Sequence, residues 1–492
     1  MEGGTKLMQK NNQPAKQSII KELFRHTSDV SVEEHHLFNT KKKEAMLVVY
    51  CNGLIDHHIL INSIFPDIQS TFYHTGLKGL ENINCTVKKP WTSNIDALES
   101  ILLEKIFNGY TAIIIAEVIY FFNTIDVPKR TPEESNSEVS LRGPRDAFVE
   151  DISLNLALVR KRVKSNSLVA EEFTIGKRSK TKIQLVYFTD IQDKPMIRKA
   201  RERLNKIDID FLSSDNQLLP IIGGSHYSLF PLMESVSRPD GVAGSLARGR
   251  FAIFIDNVPN VVVGPANLGY FFNSSEDAYT PYYYATFELA LRFVGFMLAI
   301  FLPAFWVALS AYNMDQIPFP LLATIAASRL GIPFSPTIEL LLMLALFELF
   351  REAGVRLPKA VGQTVAVVGG LIVGDAAIRA GLTSPTMLVI SAITTVATFT
   401  LGNQALVGTV SIFRIASILF ASIFGMFGFF ISVFLTLGYL AKLESFGVPY
   451  LSPISPFIRR DVLKSILKKP VVDQNERAAI LHPIDNDRQG EK

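Results

Sequence analysis

Cysteine and tryptophan are nearly missing from this chain, with two of each in 492 residues. Cys51 and Cys85 cannot build a disulfide framework, which suits a reducing compartment or one indifferent to redox. A charge excess is missing too: 49 basic against 46 acidic residues leave +3. A nucleic-acid-binding domain would be strongly basic, so no nucleic acid partner is expected. The first thirty residues hold no apolar run of signal-peptide type, and the N-terminal part is therefore expected to stay on the cytoplasmic side. Motifs for chemistry are absent as well: there is no Walker A sequence, no GxGxxG after a strand, no GxSxG and no HExxH. Ser225 stands beside His226, but adjacency in a glycine loop does not make a catalytic pair. His35-His36 and His57-His58 lack the spacing of metal ligands. No catalytic, cofactor-binding or metal residues are assigned, no cofactor is expected, and the chain does not read as an enzyme.

What is present is a long apolar block from Thr286 to Ala441. The overall 48% hydrophobic and 19% charged content hides it, because two unlike halves average out. Within it Phe293–Leu309, Thr337–Phe350, Val361–Ile378, Pro385–Leu401 and Ile415–Leu440 are nearly free of charge. A membrane-crossing helix takes roughly 20 such residues, with about 17 as a lower limit. The block therefore reads as a polytopic α-helical membrane domain of four, five or six passes. Pro318, Pro320, Pro333 and Pro336 frame a short apolar stretch around Arg329, expected as a re-entrant or broken helix. Arg351, Arg356 and Lys359 make one positive loop, and the residues after Lys442 are positive too. Asn313–Gln316 has no Lys or Arg and sorts to the opposite face from the positive loop.

Ahead of the block the composition is that of a soluble α/β (α+β) region in two subdomains. Residues 1–43 read as a mobile polar arm. The first subdomain, 44–135, opens with the apolar run Ala45–Cys51 and a turn at Asn52-Gly53. A helix over Leu54–Phe65 ends before Pro66, and Ala112–Ile115 and Val118–Phe122 follow as paired strands. Thr131–Ser140 is a polar hinge. The second subdomain, 141–265, starts with a helix entered at Pro144 and running to about Val163, with Phe148, Ile152, Leu156 and Val159 on one face. Strands Phe173–Ile175 and Ile183–Phe188, a helix Pro195–Lys206 and a hairpin Arg250–Ile255/Val258–Val263 complete it. The fragment 45–265 is expected to fold by itself, and 442–492 reads as a polar C-terminal tail.

Charges inside the apolar block are costly in lipid, so they face protein or water and often mark ion or substrate paths. Arg292, Arg329, Glu339, Glu348, Asp375, Arg379 and Arg414 are such groups. Glu348 with Arg351, or Asp375 with Arg379, can equally be interfacial ion pairs. Asp375 leads because of its helix, Val361–Arg379. Gly362, Ala366, Gly370 and Gly374 form a small-residue stripe that lets helices approach closely and points to a homo-oligomer. At 100° per residue Val361, Val365, Val368, Ile372 and Asp375 lie on another stripe, a candidate pore lining. That face can instead pack on a helix of the same subunit.

Ser237-Arg238-Pro239-Asp240, Gly244-Ser245-Leu246, Gly249-Arg250, Ile255-Asp256 and Pro259 resemble the pre-membrane signature of GerA-family spore germination proteins. The likeness continues upstream through Asn52-Gly53-Leu54-Ile55-Asp56, Arg142-Gly143-Pro144-Arg145, Arg178-Ser179-Lys180-Thr181-Lys182 and Arg203-Leu204-Asn205-Lys206-Ile207-Asp208. Downstream it runs through Pro318-Phe319-Pro320, Arg351-Glu352-Ala353-Gly354, Leu357-Pro358-Lys359, Gly362-Gln363 and Ser445-Phe446-Gly447-Val448-Pro449-Tyr450-Leu451-Ser452-Pro453, covering about residues 45 to 460. Asn257 departs from it, standing where glycine commonly follows the Ile-Asp pair. The resemblance implies the A subunit of a nutrient (germinant) receptor in the inner membrane of a bacterial spore. It further implies a homo-oligomer, a pentamer in the family's pattern, that forms a nutrient-gated ion channel beside a transporter-like B subunit and a lipoprotein C subunit. Two rival functions remain open to the residues: a secondary transporter of the nutrient, and a non-conducting scaffold for the partner subunits. A transporter should show paired broken helices, and only one proline-broken segment is visible.

Overall fold

The structure is a computed structural model that describes residues 13–488 apart from 26, 40–41, 84, 93, 126–141, 226, 358–371, 460, 463–466 and 469. It divides into an α/β unit, residues up to 226 with 233–265 and 474 onward, and a helical unit, residues 227–232 with 266–473. The expected hinge Thr131–Ser140 lies outside the described residues.

The α/β unit begins with α1 (Gln13–Leu23), β1 (Val30–Asn39) and β2 (Lys42–Cys51). β1 pairs antiparallel with β2 along its whole length, from Val30 opposite Cys51 to Asn39 opposite Lys42. This overturns the expected mobile arm over 13–39. Its polar look is that of an outer strand, with Val30 and Leu37 buried and the residues between them at least partly exposed. α1 is held by Ile20 in the core and by Lys16, whose Nζ donates to the Ala116 carbonyl at 2.5 Å and to Glu117 at 2.7 Å.

Along β2 the side chains alternate between faces, as a strand requires. Leu47, Val49 and Cys51 enter a core with Ile20, Leu98, Leu102 and Ile106. Met46, Val48 and Tyr50 enter another with Ile64, Ile68 and Phe72. Helices therefore cover both faces of this sheet. The helical run after β2 does not stop at Pro66, contrary to expectation. A π-turn, Leu60–Ile64, leads into α2 (Phe65–Thr75), with the Phe65 N–H bonded to the Leu60 carbonyl. The wider turn lets the chain continue through a residue that has no N–H to donate. β3 (Val87–Pro90), α3 (Ile95–Ile106), β4 (Tyr110–Ile115) and β5 (Val118–Asn123) complete a sheet of order β1-β2-β4-β5-β3.

The second half repeats this plan. α4 (Ile152–Arg162) precedes β6 (Leu168–Ile175) and β7 (Thr181–Phe188). α5 (Lys194–Asn205), α6 (Asp215–Gly223), β8 (Glu234–Val236), α7 (Pro239–Ala247), β9 (Phe251–Ile255) and β10 (Val261–Gly264) follow. The sheet order β6-β7-β9-β10-β8 is the first sheet's order again, and the ladders within both sheets are antiparallel. α4 starts later than Pro144, because Asp151 caps it by accepting from the N–H groups of Ser153 and Leu154. Asn257, the departure from the family pattern, sits in the β9–β10 turn at φ 62°. Asparagine tolerates that left-handed conformation better than other residues with a side chain, so it can stand in for glycine.

One buried pair joins the two halves. Arg160 of α4 reaches Asp29 just before β1, Nε to Oδ2 at 2.7 Å and Nη2 to Oδ1 at 3.0 Å. The Ser165 carbonyl accepts from Nη1 and the Leu168 carbonyl from Nη2, and Phe107 stacks beneath the guanidinium. Burial and the neighbouring Asp29 push the Cys51 thiol well up, so it stays protonated. Residues 474–488, expected as polar tail, return to the second half: the Ile484 N–H bonds to the Ile191 carbonyl and Leu481 is buried.

In the helical unit α8 (Tyr282–Ala311), α9 (Phe319–Ser328) and α10 (Pro336–Arg356) come first. α11 (372–379), α12 (Pro385–Phe399) and α13 (Gln404–Lys442) follow. Among the described residues α8 and α13 are long and apolar enough to cross a membrane, and α9, at ten residues, is not. The core joins Ala304, Val307 and Ala308 of α8, Leu340 and Leu344 of α10, Met387 of α12, and Ile418 and Ala421 of α13.

Candidate functional site

α13 is not one straight helix. Gly425 breaks it at φ 60°, ψ −137°, a backbone region essentially confined to glycine. Phe413 and Tyr439 would stand about 39 Å apart on a continuous helix at 1.5 Å per residue. Their rings are 5.7 Å apart, so 404–424 and 426–442 are the antiparallel arms of a hairpin. The expected single run Ile415–Leu440 is thereby split between two arms. At the open end Phe230 lies 5.0 Å from Phe413, 6.3 Å from Tyr439 and 5.8 Å from Tyr450. The segment 443–457, expected as tail, closes this end with Tyr450 fully buried. At the tip, Tyr312 just past α8 donates to the Ser422 carbonyl.

The charged residues of the unit fall into separate clusters along its helices. Near the start of α8, Arg292 forks onto Asp277 at 3.0 Å and reaches Glu288 at 3.4 Å. Asp277 also closes a capping box with Ser274. Arg292 is thus an anchor for the segment leading into α8.

Glu339 is fully buried in the first turn of α10. Its Oε1 accepts from the Ser384 N–H at 3.2 Å and the Ser384 hydroxyl at 2.7 Å. Ser384 is the N-cap of α12, so the carboxylate meets the positive ends of two helices, its own and α12. Its Oε2 is buried with no hydrogen-bond partner among the described residues.

Glu348 pairs with Arg351 and stands 3.7 Å from Arg414. Arg414 is 5% exposed and donates to Ser411 at 3.1 Å and Thr398 at 3.3 Å, while its Nε has no partner. A buried guanidinium thus ties α10, α12 and the first arm of α13 together. Arg329, at the end of α9, lines a separate cavity with Ser310, Tyr312 and Ser335.

Of the candidate pore helix, Val361, Val365, Val368, Gly362, Ala366 and Gly370 lie outside the described residues. Gly374 is buried, and a methyl placed there would stand 3.2 Å from the Leu388 side chain of α12. Ile372 is 60% exposed. Asp375 is exposed and pairs with Arg379 at 2.7 Å, one helical turn on.

The sequence reading missed Ser384, Gly425 and Phe230. Ser384-Pro385 is an N-cap followed by proline in the first turn, a helix-start signature that was legible. Gly425 was the interruption inside an overlong apolar run. Nothing local marks Phe230 as a member of the helical unit.

A model of the Bacillus/Clostridium GerA spore germination protein family matches residues 18–480. Spore germination protein XA of Bacillus anthracis is 39% identical over 96% of this chain and 97% of its own length. The membrane protein YfkQ of Bacillus subtilis is 40% identical over 70% of this chain and 67% of its own. A crystal structure of the N-terminal domain of the A subunit of the Bacillus megaterium spore germinant receptor GerK3 is also similar. It covers 51% of this chain and 92% of that one, at 25% identity and a TM-score of 0.37.

Proposed function

The chain belongs to the Bacillus/Clostridium GerA spore germination protein family, and from that premise we propose that it is the oligomeric, nutrient-gated ion-conducting subunit of a spore germinant receptor. In this reading it lies in the spore inner membrane with its N-terminal region on the core side. A transporter-like subunit holds the nutrient and a lipoprotein subunit completes the complex.

The observation that carries the proposal is the outward face of α11. Ile372, Asp375 and Arg379 are exposed on the helical unit, while Gly374 turns toward α12. A face left exposed among the described residues is available to a shared axis. There Val361, Val365, Val368 and Ile372 form a constriction that closes by dewetting. Asp375 adds an acidic ring, tempered by Arg379, that favours cations.

Cysteine scanning of the full chain, co-reconstituted with its partner subunits in liposomes, tests this. Thiol reagents should change ion flux at positions 365, 368 and 372 and leave 362, 366 and 370 silent. Val368→Ala should leak without nutrient, and Asp375→Asn should weaken cation preference without disturbing assembly. Equal reactivity along both stripes of an open channel rules the pore assignment out.

A further inference from the structure

Beside the tip of the α13 hairpin lies a cavity of about 610 Å³, lined among others by Ser310, Tyr312, Arg329, Ser335, Thr337 and Ser422. Small-molecule sites run from about 300 to 1,000 Å³. None of its described lining residues is acidic. Three features suit it to an anion. Arg329 has no carboxylate within ion-pair distance among the described residues. Ser335, Pro336 and Thr337 are the cap and first turn of α10, a 21-residue helix whose N-terminus carries partial positive charge. Glu339 in the same turn aims its carboxylate at Ser384 of α12 and offsets part of that charge, which leaves Arg329 as the main positive group of the cavity. The third feature is Ser310. It is 2% exposed, lines the cavity, and its Oγ has no hydrogen-bond partner among the described residues. A buried hydroxyl without a partner is costly, and a ligand oxygen in the cavity would answer it.

The rest of the wall is apolar, from Ile317, Leu322, Ile325 and Ala326. Phe319 and Leu330 nearby are 80% and 82% exposed, and Tyr312 is 54% exposed. Large apolar side chains beside an open tyrosine are the composition of a protein face at the membrane–water boundary.

We propose that this cavity binds a phosphate group, carried by a phospholipid, with Arg329 forking two phosphate oxygens, the α10 N-terminus facing them and Ser310 donating its hydroxyl. The guanidinium fork matches phosphate geometry, and helix N-termini are ready anion sites. The apolar wall then takes the glycerol and first acyl carbons. The site is independent of the pore stripe, so it stands whether or not the chain conducts.

The test uses the purified full chain, stripped of lipid in mild detergent and examined by native mass spectrometry. One arm adds phosphatidylglycerol and the other inorganic phosphate. The wild type should retain one phosphatidylglycerol tightly. Arg329→Gln should lose about tenfold or more in retention, the scale of a charge-assisted hydrogen bond. Arg329→Lys and Ser310→Ala should lose less. If inorganic phosphate is retained through Arg329 and the lipid is not, the phosphate chemistry holds and its lipid source is wrong. Retention of neither, or lipid retention unchanged in Arg329→Gln, overturns the site. Should Arg329→Gln fail to fold, wild-type retention by both Arg329→Lys and Ser310→Ala overturns it equally.

Discussion

Asp29 and Arg160 in the α/β unit, and Glu339 and Arg414 in the helical unit, are all at least 95% buried, yet they are treated differently. The α/β pair is saturated: all three guanidinium nitrogens donate, to the carboxylate or to carbonyls. Glu339 keeps one oxygen without a partner, and Arg414 keeps its Nε. Single atoms are left short in the α/β unit too, on Gln184, Gln192 and the Nε of Arg250, so the contrast is between the Asp29–Arg160 pair and the Glu339 and Arg414 sites. A saturated ion pair has one good arrangement and fixes two halves in register. A half-answered charge keeps the capacity to bind a water or an ion, and such groups in membrane proteins tend to be functional. The Asp29–Arg160 pair holds a geometry, and the Glu339 and Arg414 sites keep room to change one.

The largest effect should come from breaking the saturated pair. Asp29→Ala leaves the Arg160 charge buried and unanswered, at a cost of about 3–5 kcal/mol. Asp29→Asn with Arg160→Met, which removes both charges at similar volume, should recover part of that loss. Chemical unfolding of the soluble fragment measures it. The fragment itself must begin near residue 13. One starting at 45 lacks β1 and Asp29, and should aggregate where 13–265 stays monomeric. If Asp29→Ala costs less than the double substitution, the pair is not what joins the halves.

Gly425 is the next place to press. Gly425→Ala costs about 1–3 kcal/mol from the backbone alone, and its methyl would meet the Tyr312 side chain at 3.0 Å. Cysteines at 413 and 439 give the readout. A short bismaleimide should link them in the parent chain and lose yield in Gly425→Ala. No crosslink in the parent would mean a continuous helix and would remove the hairpin.

Much of the α/β unit was legible because its signals are local. The runs that became β4 and β5, β7 and β9, and the periodic helix α5, carry their own pattern. β1 was not legible because an outer strand with two buried residues looks like a solvated arm. The repeated strand order was hidden because topology depends on which strands pair, and sequence patterning records only which segments are strands. Within the helical unit the charged residues could be found by type, but not their partners. Glu339 meets Ser384 across 45 positions. Phe230 is more distant still, packing on Phe413 from a segment that reads as a loop of the soluble region.

Glu339 tests the other side of the contrast. Glu339→Ala leaves the Ser384 N–H and hydroxyl buried without an acceptor, which costs about 1–3 kcal/mol. Glu339→Gln keeps an acceptor for Ser384 and offers an N–H in place of the second oxygen, so it should cost less. Thermal unfolding of the full chain in detergent ranks the two. If glutamine is as damaging as alanine, the charge itself matters, and the carboxylate is answered by something beyond Ser384.

The smallest effect, and the one that asks whether a second paired carboxylate of the α/β unit is held as Asp29 is, concerns Tyr50. Its hydroxyl donates to Glu33 at 2.7 Å, and His35 meets the same carboxylate at 3.0 Å. Burial, then the bond to Glu33, pushes the Tyr50 phenol up to about 12 from 10.0. The Tyr50 bond, then that from His35, holds Glu33 below the usual carboxylate range. The signs are opposite. A phenol raised in the folded state contributes stability that is complete below pH 10 and is lost as the pH climbs toward 12. A lowered carboxylate contributes stability that is present at neutral pH and is lost as acid protonates it. Tyr50→Phe should therefore cost about 0.5–1.5 kcal/mol at neutral pH, flatten part of the alkaline limb, and return Glu33 toward its ordinary value. Only part of that limb should go, because burial and a bond to Glu171 push Tyr187 up to about 12 as well. Unfolding curves of the 13–265 fragment across pH 3–12 separate the contributions, and Tyr50→Phe with Tyr187→Phe should flatten the alkaline side further. An alkaline limb unchanged in both variants would show that neither phenol is held by its carboxylate.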